Sequence, residues 1–128
     1  MTDLLAQGAQ WLDDQRQTHL TRTVVYRRGA DEVQLSATVG RTLFEQADEV
    51  GLIQRLESRD YLVRTADLVL AGTPTLPAAG DLIRETDAGG TTFVYEVLAP
   101  GTEPPWRYSD PYRLALRVHS KHVATESP

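Results

Sequence analysis

The chain has 128 residues, 41% of them apolar and 24% charged, which suffices for one compact domain and leaves too little length for a second. No run approaches the roughly 18–20 apolar residues of a membrane-spanning helix, and the first residues lack the basic-then-apolar order of a secretory signal, so neither insertion nor export is expected. Cysteine is absent, which excludes disulfides and thiolate chemistry, and a net charge of −5 with Lys121 as the single lysine disfavours a broad phosphate-neutralising surface.

Residues 2–20, TDLLAQGAQWLDDQRQTHL, carry the pattern of one amphipathic helix. Thr2 serves as N-cap, Asp3 lies in the first turn, and Leu4, Leu5, Gly8, Trp11 and Leu12 recur at three- and four-residue steps. Gly8 lowers helix stability by about 1 kcal/mol relative to alanine, so the helix needs to dock its apolar stripe, on its own sheet or on a neighbour.

From Arg22 the period becomes two. Residues 23–28 read as a strand, Gly29-Ala30-Asp31 as a turn, and Val33, Leu35, Ala37 and Val39 as the inward face of the next strand. That strand continues through Leu43 and Phe44, turns at Gln46–Gly51 and returns through Leu52–Thr65. A hairpin this long exceeds the usual strand of about five or six residues, so its end is expected to project as an arm.

Thr65 is expected to cap a short helical turn over Ala66–Leu70, and Ala71–Gly80, with Pro74 and Pro77, reads as a loop. Asp81–Thr86 and Thr92–Leu98 then form a second hairpin around Asp87-Ala88-Gly89-Gly90. Pro100–Pro111 is a long proline-rich loop of the kind that usually carries function. Tyr112–His119 reads as a final strand with Leu114, Leu116 and Val118 inward and Arg113, Ala115, Arg117 and His119 outward; residues 121–128 are expected to be a mobile tail. The order predicts a mainly β fold: a small antiparallel barrel or sandwich of about six strands over residues 22–120, with an N-terminal helix and long projecting loops.

Chemistry-bearing residues are sparse. His119 and His122 have an H-x-x-H spacing, but residues three apart on a strand point to opposite faces, so surface or interface roles are expected rather than a shared metal. Asp13-Asp14 and Asp48-Glu49 are adjacent carboxylates that diverge on a helix or are solvated in a turn. Ser58, Ser109 and Ser120 lack a nucleophile-elbow context, and Gly89-Gly90 belongs to a hairpin turn rather than a phosphate loop. No cofactor, no metal and no catalytic group is expected.

The features that remain are surfaces. Leu43, Phe44, Leu52 and Ile53 lie on the arm, too far along it for this chain alone to bury, so a partner or another copy is expected to cover them. Trp106, Arg107, Tyr108 and Tyr112 combine aromatic and guanidinium groups in and beside the proline-rich loop, the residue types that dominate interface hot spots. The alternative for Trp106 is that it folds back onto the barrel as a lid.

In its order of parts the chain resembles the small head-tail joining proteins of long-tailed bacteriophages, the head-completion or stopper class. The resemblance runs over about residues 5–120 and is carried by Leu62-Val63-Arg64-Thr65 with Asp67-Leu68, by Gly80-Asp81-Leu82-Ile83, and by Phe93 followed by Val97 and Pro100. Thr73–Ala79, Gly101–Pro111 and the extended Arg41–Ser58 region depart from the family's pattern and leave the subclass open. The resemblance implies a virion neck protein, assembled in the host cytoplasm. It would form a ring of six or twelve copies, with a portal or adaptor protein on one side and a tail terminator or tail tube protein on the other. DNA would pass through the lumen without specific binding, and no membrane would be involved. On that reading the helix with Arg16 and Arg22 docks on the portal side. The runner-up is a small OB-like barrel that binds single-stranded nucleic acid or another ligand; for nucleic acid, bases would stack on Tyr61, Tyr95 and Trp106 while Arg59, Arg64 and Arg117 track the backbone.

Overall fold

The computed structural model describes residues 5–11 and 21–128. Residues 5–11 are helical, within the expected helix; its remainder, with Arg16 and His19, lies outside the described residues.

The rest is β-structure joined by tight turns. The strands are β1 (Arg22–Arg28), β2 (Asp31–Ala47), β3 (Ile53–Arg64), β4 (Val69–Leu70), β5 (Thr73–Pro74), β6 (Leu82–Thr86), β7 (Thr92–Val97), β8 (Trp106–Tyr108) and β9 (Ala115–Glu126). The main sheet runs β3-β2-β1-β6-β7-β9-β8, and an additional β3–β9 pairing closes six of the strands into a ring. All pairings are antiparallel. Closure gives the ring strands partners on both sides and so removes the exposed edges that invite aggregation.

Strand β9 makes the closure. Its residues 115–120 pair with β3 on one side, and residues 120–126 pair with β7 on the other, with a register shift between Val94 and Tyr95. The expected mobile tail is therefore corrected: residues 121–126 are strand. The terminal segment pairs because β7 would otherwise present a row of unmatched N–H and C=O groups.

Alternation places Val24, Tyr26, Leu35, Ala37, Tyr61, Val63, Ile83, Val97, Leu116 and Val118 inside the ring, where they form one core. A 3-10 turn at Thr65–Asp67 replaces the expected helical turn and delivers Leu68 and Leu70 to that core, at the end of the ring opposite the arm. The expected loop 71–80 contains β5, which pairs with β4 as a separate two-stranded ribbon.

Carboxylates build the turns. Asp48 Oδ1 accepts from the Val50 and Leu52 N–H groups, and Asp87 Oδ1 from those of Gly89 and Thr91. Gly51 and Gly90 supply the positive φ, +84° and +86°, that each turn requires. Asp110 accepts from the N–H groups of Tyr112, Leu114 and Ala115 and holds Arg113 at φ +60°. Asp110→Ala is expected to destabilise by about 1–3 kcal/mol, since several part-buried donors lose their acceptor; a fall in the urea midpoint at unchanged m-value would register it.

The proline-rich segment is an excursion from the edge of β9. The Leu98 N–H donates to the His119 carbonyl at 3.1 Å, and the His119 N–H donates to the Pro105 carbonyl at 2.9 Å. Residue 119 thus pins both ends of the loop 99–104, in the manner of an Ω-loop. The loop then lies over the outer face of the sheet toward β2, with Pro100 buried and Gly101 against Phe44.

Candidate functional site

The β2–β3 hairpin outruns the ring. Its ladder continues from Arg41↔Arg59 to Ala47↔Ile53, about 20 Å at 3.3 Å per residue. One face bears Phe44 and Leu56 as a cross-strand pair, half-buried against Pro100 and Gly101. The other face and the tip are bare: Leu43 is 68% exposed, Val50 80%, Leu52 65% and Ile53 67%. Isolated exposed apolar residues are ordinary, but four on one projecting hairpin form a patch. Of the four arm candidates, Leu43, Leu52 and Ile53 lie on bare surface, while Phe44 serves to lean the arm on the loop.

The second candidate group is divided by the fold. Trp106 and Tyr108 are not loop residues; they form β8, pair with β9 opposite Val118 and Leu116, and pack half-buried against the core, their rings edge to face at 5.0 Å. Trp106 therefore folds back as a lid. Arg107 is exposed between them, and the Arg113 guanidinium lies 5.3 Å from the Tyr108 ring centre. Tyr112 is half-buried in the turn that Asp110 organises.

Where the arm leaves the ring, the interior opens into a mouth of about 580 Å³ lined by Val39, Gly40, Arg41, Glu57, Arg59, Tyr95, Ser120, Lys121 and His122. Its floor is an ionic and aromatic plug. Glu85 accepts from Arg22 at 2.6 Å, Arg59 at 2.8 Å and the Tyr61 hydroxyl at 2.9 Å. The Arg59 guanidinium also lies 4.8 Å from the Tyr95 ring centre, and Tyr95 meets the rings of Tyr61 and His122 edge to face. Arg22, expected to dock with the helix on the portal side, opens β1 and donates to Glu85 while its side chain stays 55% exposed.

Beneath the loop 99–104 lies a second polar cluster that sequence reading missed. Asp60, fully buried, accepts from Ser58 at 2.6 Å, His119 Nδ1 at 2.8 Å, Arg117 at 2.5 Å and the Thr42 hydroxyl. His119, expected at the surface, is buried because the excursion from β9 covers that outer face. No nucleophilic relay results. Such a relay needs the serine and the carboxylate on different imidazole nitrogens, whereas here Nδ1 serves Asp60 and the Ser58 hydroxyl donates to the same carboxylate. His122 lies on the opposite side of β9, in the mouth, with Nε2 2.8 Å from the Thr125 hydroxyl. Among the described residues no group of three or more His, Asp or Glu could hold a metal ion.

These buried carboxylates share one electrostatic character. Burial by itself raises the Asp60 carboxyl, but donation from His119, Ser58, Thr42 and Arg117 outweighs it and holds the group well below the usual range. Asp81, at the closed end, is lowered in the same way against burial, by Arg28, Tyr26 and the Ala78 N–H, and Glu85 by Arg22, Arg59 and Tyr61. Carboxylates lowered on folding add stability that is in place above their unfolded values, near 4, and is lost as pH falls through the folded ones. The urea midpoint is therefore expected to be flat between about pH 7 and 5 with respect to these groups and to drop steadily below about pH 4. A flat profile down to pH 2 would contradict it.

The base-stacking set named above does not assemble. Tyr61 is fully buried with its hydroxyl on Glu85, Trp106 faces the core, and the Arg117 guanidinium is held by Asp60.

A family model described as phage head-tail joining protein matches residues 2–127. A search of curated proteins finds no match.

Proposed function

The chain belongs to the phage head-tail joining protein family, and on that premise we propose that it is a structural part of the virion neck, assembled in the host cytoplasm as a ring of six or twelve copies. A portal or adaptor protein would lie on one side, a tail terminator or tail tube protein on the other, and DNA would pass through the lumen without specific binding. The observation that carries this reading is the arm. A chain of this size that leaves Leu43, Val50, Leu52 and Ile53 bare on one hairpin presents surface suited to burial against a protein neighbour. The net charge of −5, from 18 acidic against 13 basic residues, supports free passage of DNA, since an excess of carboxylates repels phosphate. Among the described residues no helix is long and apolar enough to cross a membrane.

The test is deletion of the gene from the phage or prophage that carries it, followed by electron microscopy of the lysate. DNA-filled heads beside separate tails of normal length are expected. Intact tailed particles would overturn the reading.

A further inference from the structure

The arm and the mouth differ in charge as well as shape. Between Ala47 and Gln54 the tip carries Asp48 and Glu49 and no basic residue, beside the exposed Val50 and Leu52. The mouth has three fixed cations, Arg41, Arg59 and Lys121, against two carboxylates, Glu57 in its wall and Glu85 in its floor. Arg59 is held by Glu85, and Arg41 approaches Glu57 at 3.8 Å, whereas Lys121 makes no ion pair among the described residues. This local positive excess sits in a chain whose net charge is −5. Val39 and Tyr95 give the mouth apolar wall, and its volume falls within the roughly 300–1,000 Å³ of pockets that enclose small ligands, room for a few side chains.

From this complementarity we propose that the mouth is the receptor for the arm tip of a second copy of this chain, with Glu49 meeting Lys121 and Val50 and Leu52 resting on Val39 and Tyr95. The arm points away from its own mouth, so the contact runs between copies. Tip and mouth are different surfaces, which makes the interface heterologous; repeated contacts of that kind generate a closed ring when the rotation closes. The proposal rests on the neck reading and names the partner of the bare arm.

The absence of cysteine provides a clean background for cross-linking. Val50→Cys combined with Val39→Cys, which the proposal places in contact and which leaves Glu49 and Lys121 intact, carried in the phage and oxidised in purified particles, is expected to give a ladder of covalent multimers on non-reducing gels, and neither single variant a ladder. Charge reversal supplies the second readout. Glu49→Lys or Lys121→Glu alone is expected to lower the yield of tailed particles by about tenfold, and the double reversal to restore most of it. Tailed particles formed normally by the double-cysteine variant without a ladder would overturn the arm-to-mouth contact and leave the neck reading intact. Tailed particles formed without the gene would remove both. Salt-sensitive binding of a DNA oligonucleotide by the purified protein, abolished by Lys121→Glu and unaccompanied by a ladder, would assign the mouth to phosphate and overturn the proposal.

Discussion

Asp60→Ala is expected to cost about 3–5 kcal/mol, the usual penalty for breaking a buried ion pair by removing one partner, and to lower the melting temperature by roughly 12–20 °C in a domain of this size. The carboxylate is fully buried and collects four donors from three strands: Thr42 on β2, Ser58 on β3, and Arg117 and His119 on β9. Its loss strands the Arg117 guanidinium and the His119 N–H beneath the loop 99–104, where water is largely excluded. The cluster also spans the β3–β9 seam that closes the ring, so closure and polar satisfaction fail together. Asp60→Asn, which keeps the shape and one acceptor oxygen, is expected to lose less and to flatten the fall in stability below pH 4, because the most strongly stabilised carboxylate no longer titrates. Calorimetry and urea titration at pH 7 and pH 3 check both points. An Asp60→Ala protein that melts within a few degrees of wild type would show that the cluster contributes little to closure.

Leu43→Ser with Ile53→Ser is expected to leave the fold untouched and to abolish joining. Both side chains are about two-thirds exposed, and surface changes away from special features usually stay within about 0.5 kcal/mol. If the arm face is an interface, each anchor removed costs about 2 kcal/mol or more, a factor of at least about 30 in association, repeated in every copy of the assembly. Heads and tails are then expected to accumulate apart while the purified variant melts like wild type. Normal yields of tailed particles would show that this face meets no partner. Trp106→Ala is a poorer probe. Its ring packs against the core, so a joining defect there would not separate contact from stability.

Much of this architecture was legible in the residues. The two-residue period from Arg22, the Asp-Ala-Gly-Gly turn and the excess length of the Arg41–Ser58 hairpin each reflect local rules: alternation buries one face, positive φ needs glycine, and strands longer than the core is wide must project. The arm residues Leu43, Leu52 and Ile53 follow from that last rule alone. Where reading failed, the deciding interaction was distant in sequence. Residues 121–126 have the polarity of a tail, and they are strand because β7, far back in the chain, lacked a partner. Trp106 and Tyr108 sit in a proline-rich stretch, and β9 recruited them as an edge strand. His119 alternates outward, yet the loop pinned at its own backbone roofs it over.

A mainly β chain with one overlong hairpin, no thiol chemistry and a family likeness carried by order and spacing are all written in the residues, because those properties depend on near neighbours and on composition. Which polar groups lie buried together follows from the folded chain alone. Arg117 and His119 on β9 join Thr42, Ser58 and Asp60 of the β2–β3 hairpin, and Arg22 on β1 and Glu85 on β6 join Arg59 and Tyr61 on β3. Antiparallel register brings the first set together at the β3–β9 seam, and closure of the ring brings the second together across its interior; both are properties of pairing between segments, which no single segment contains.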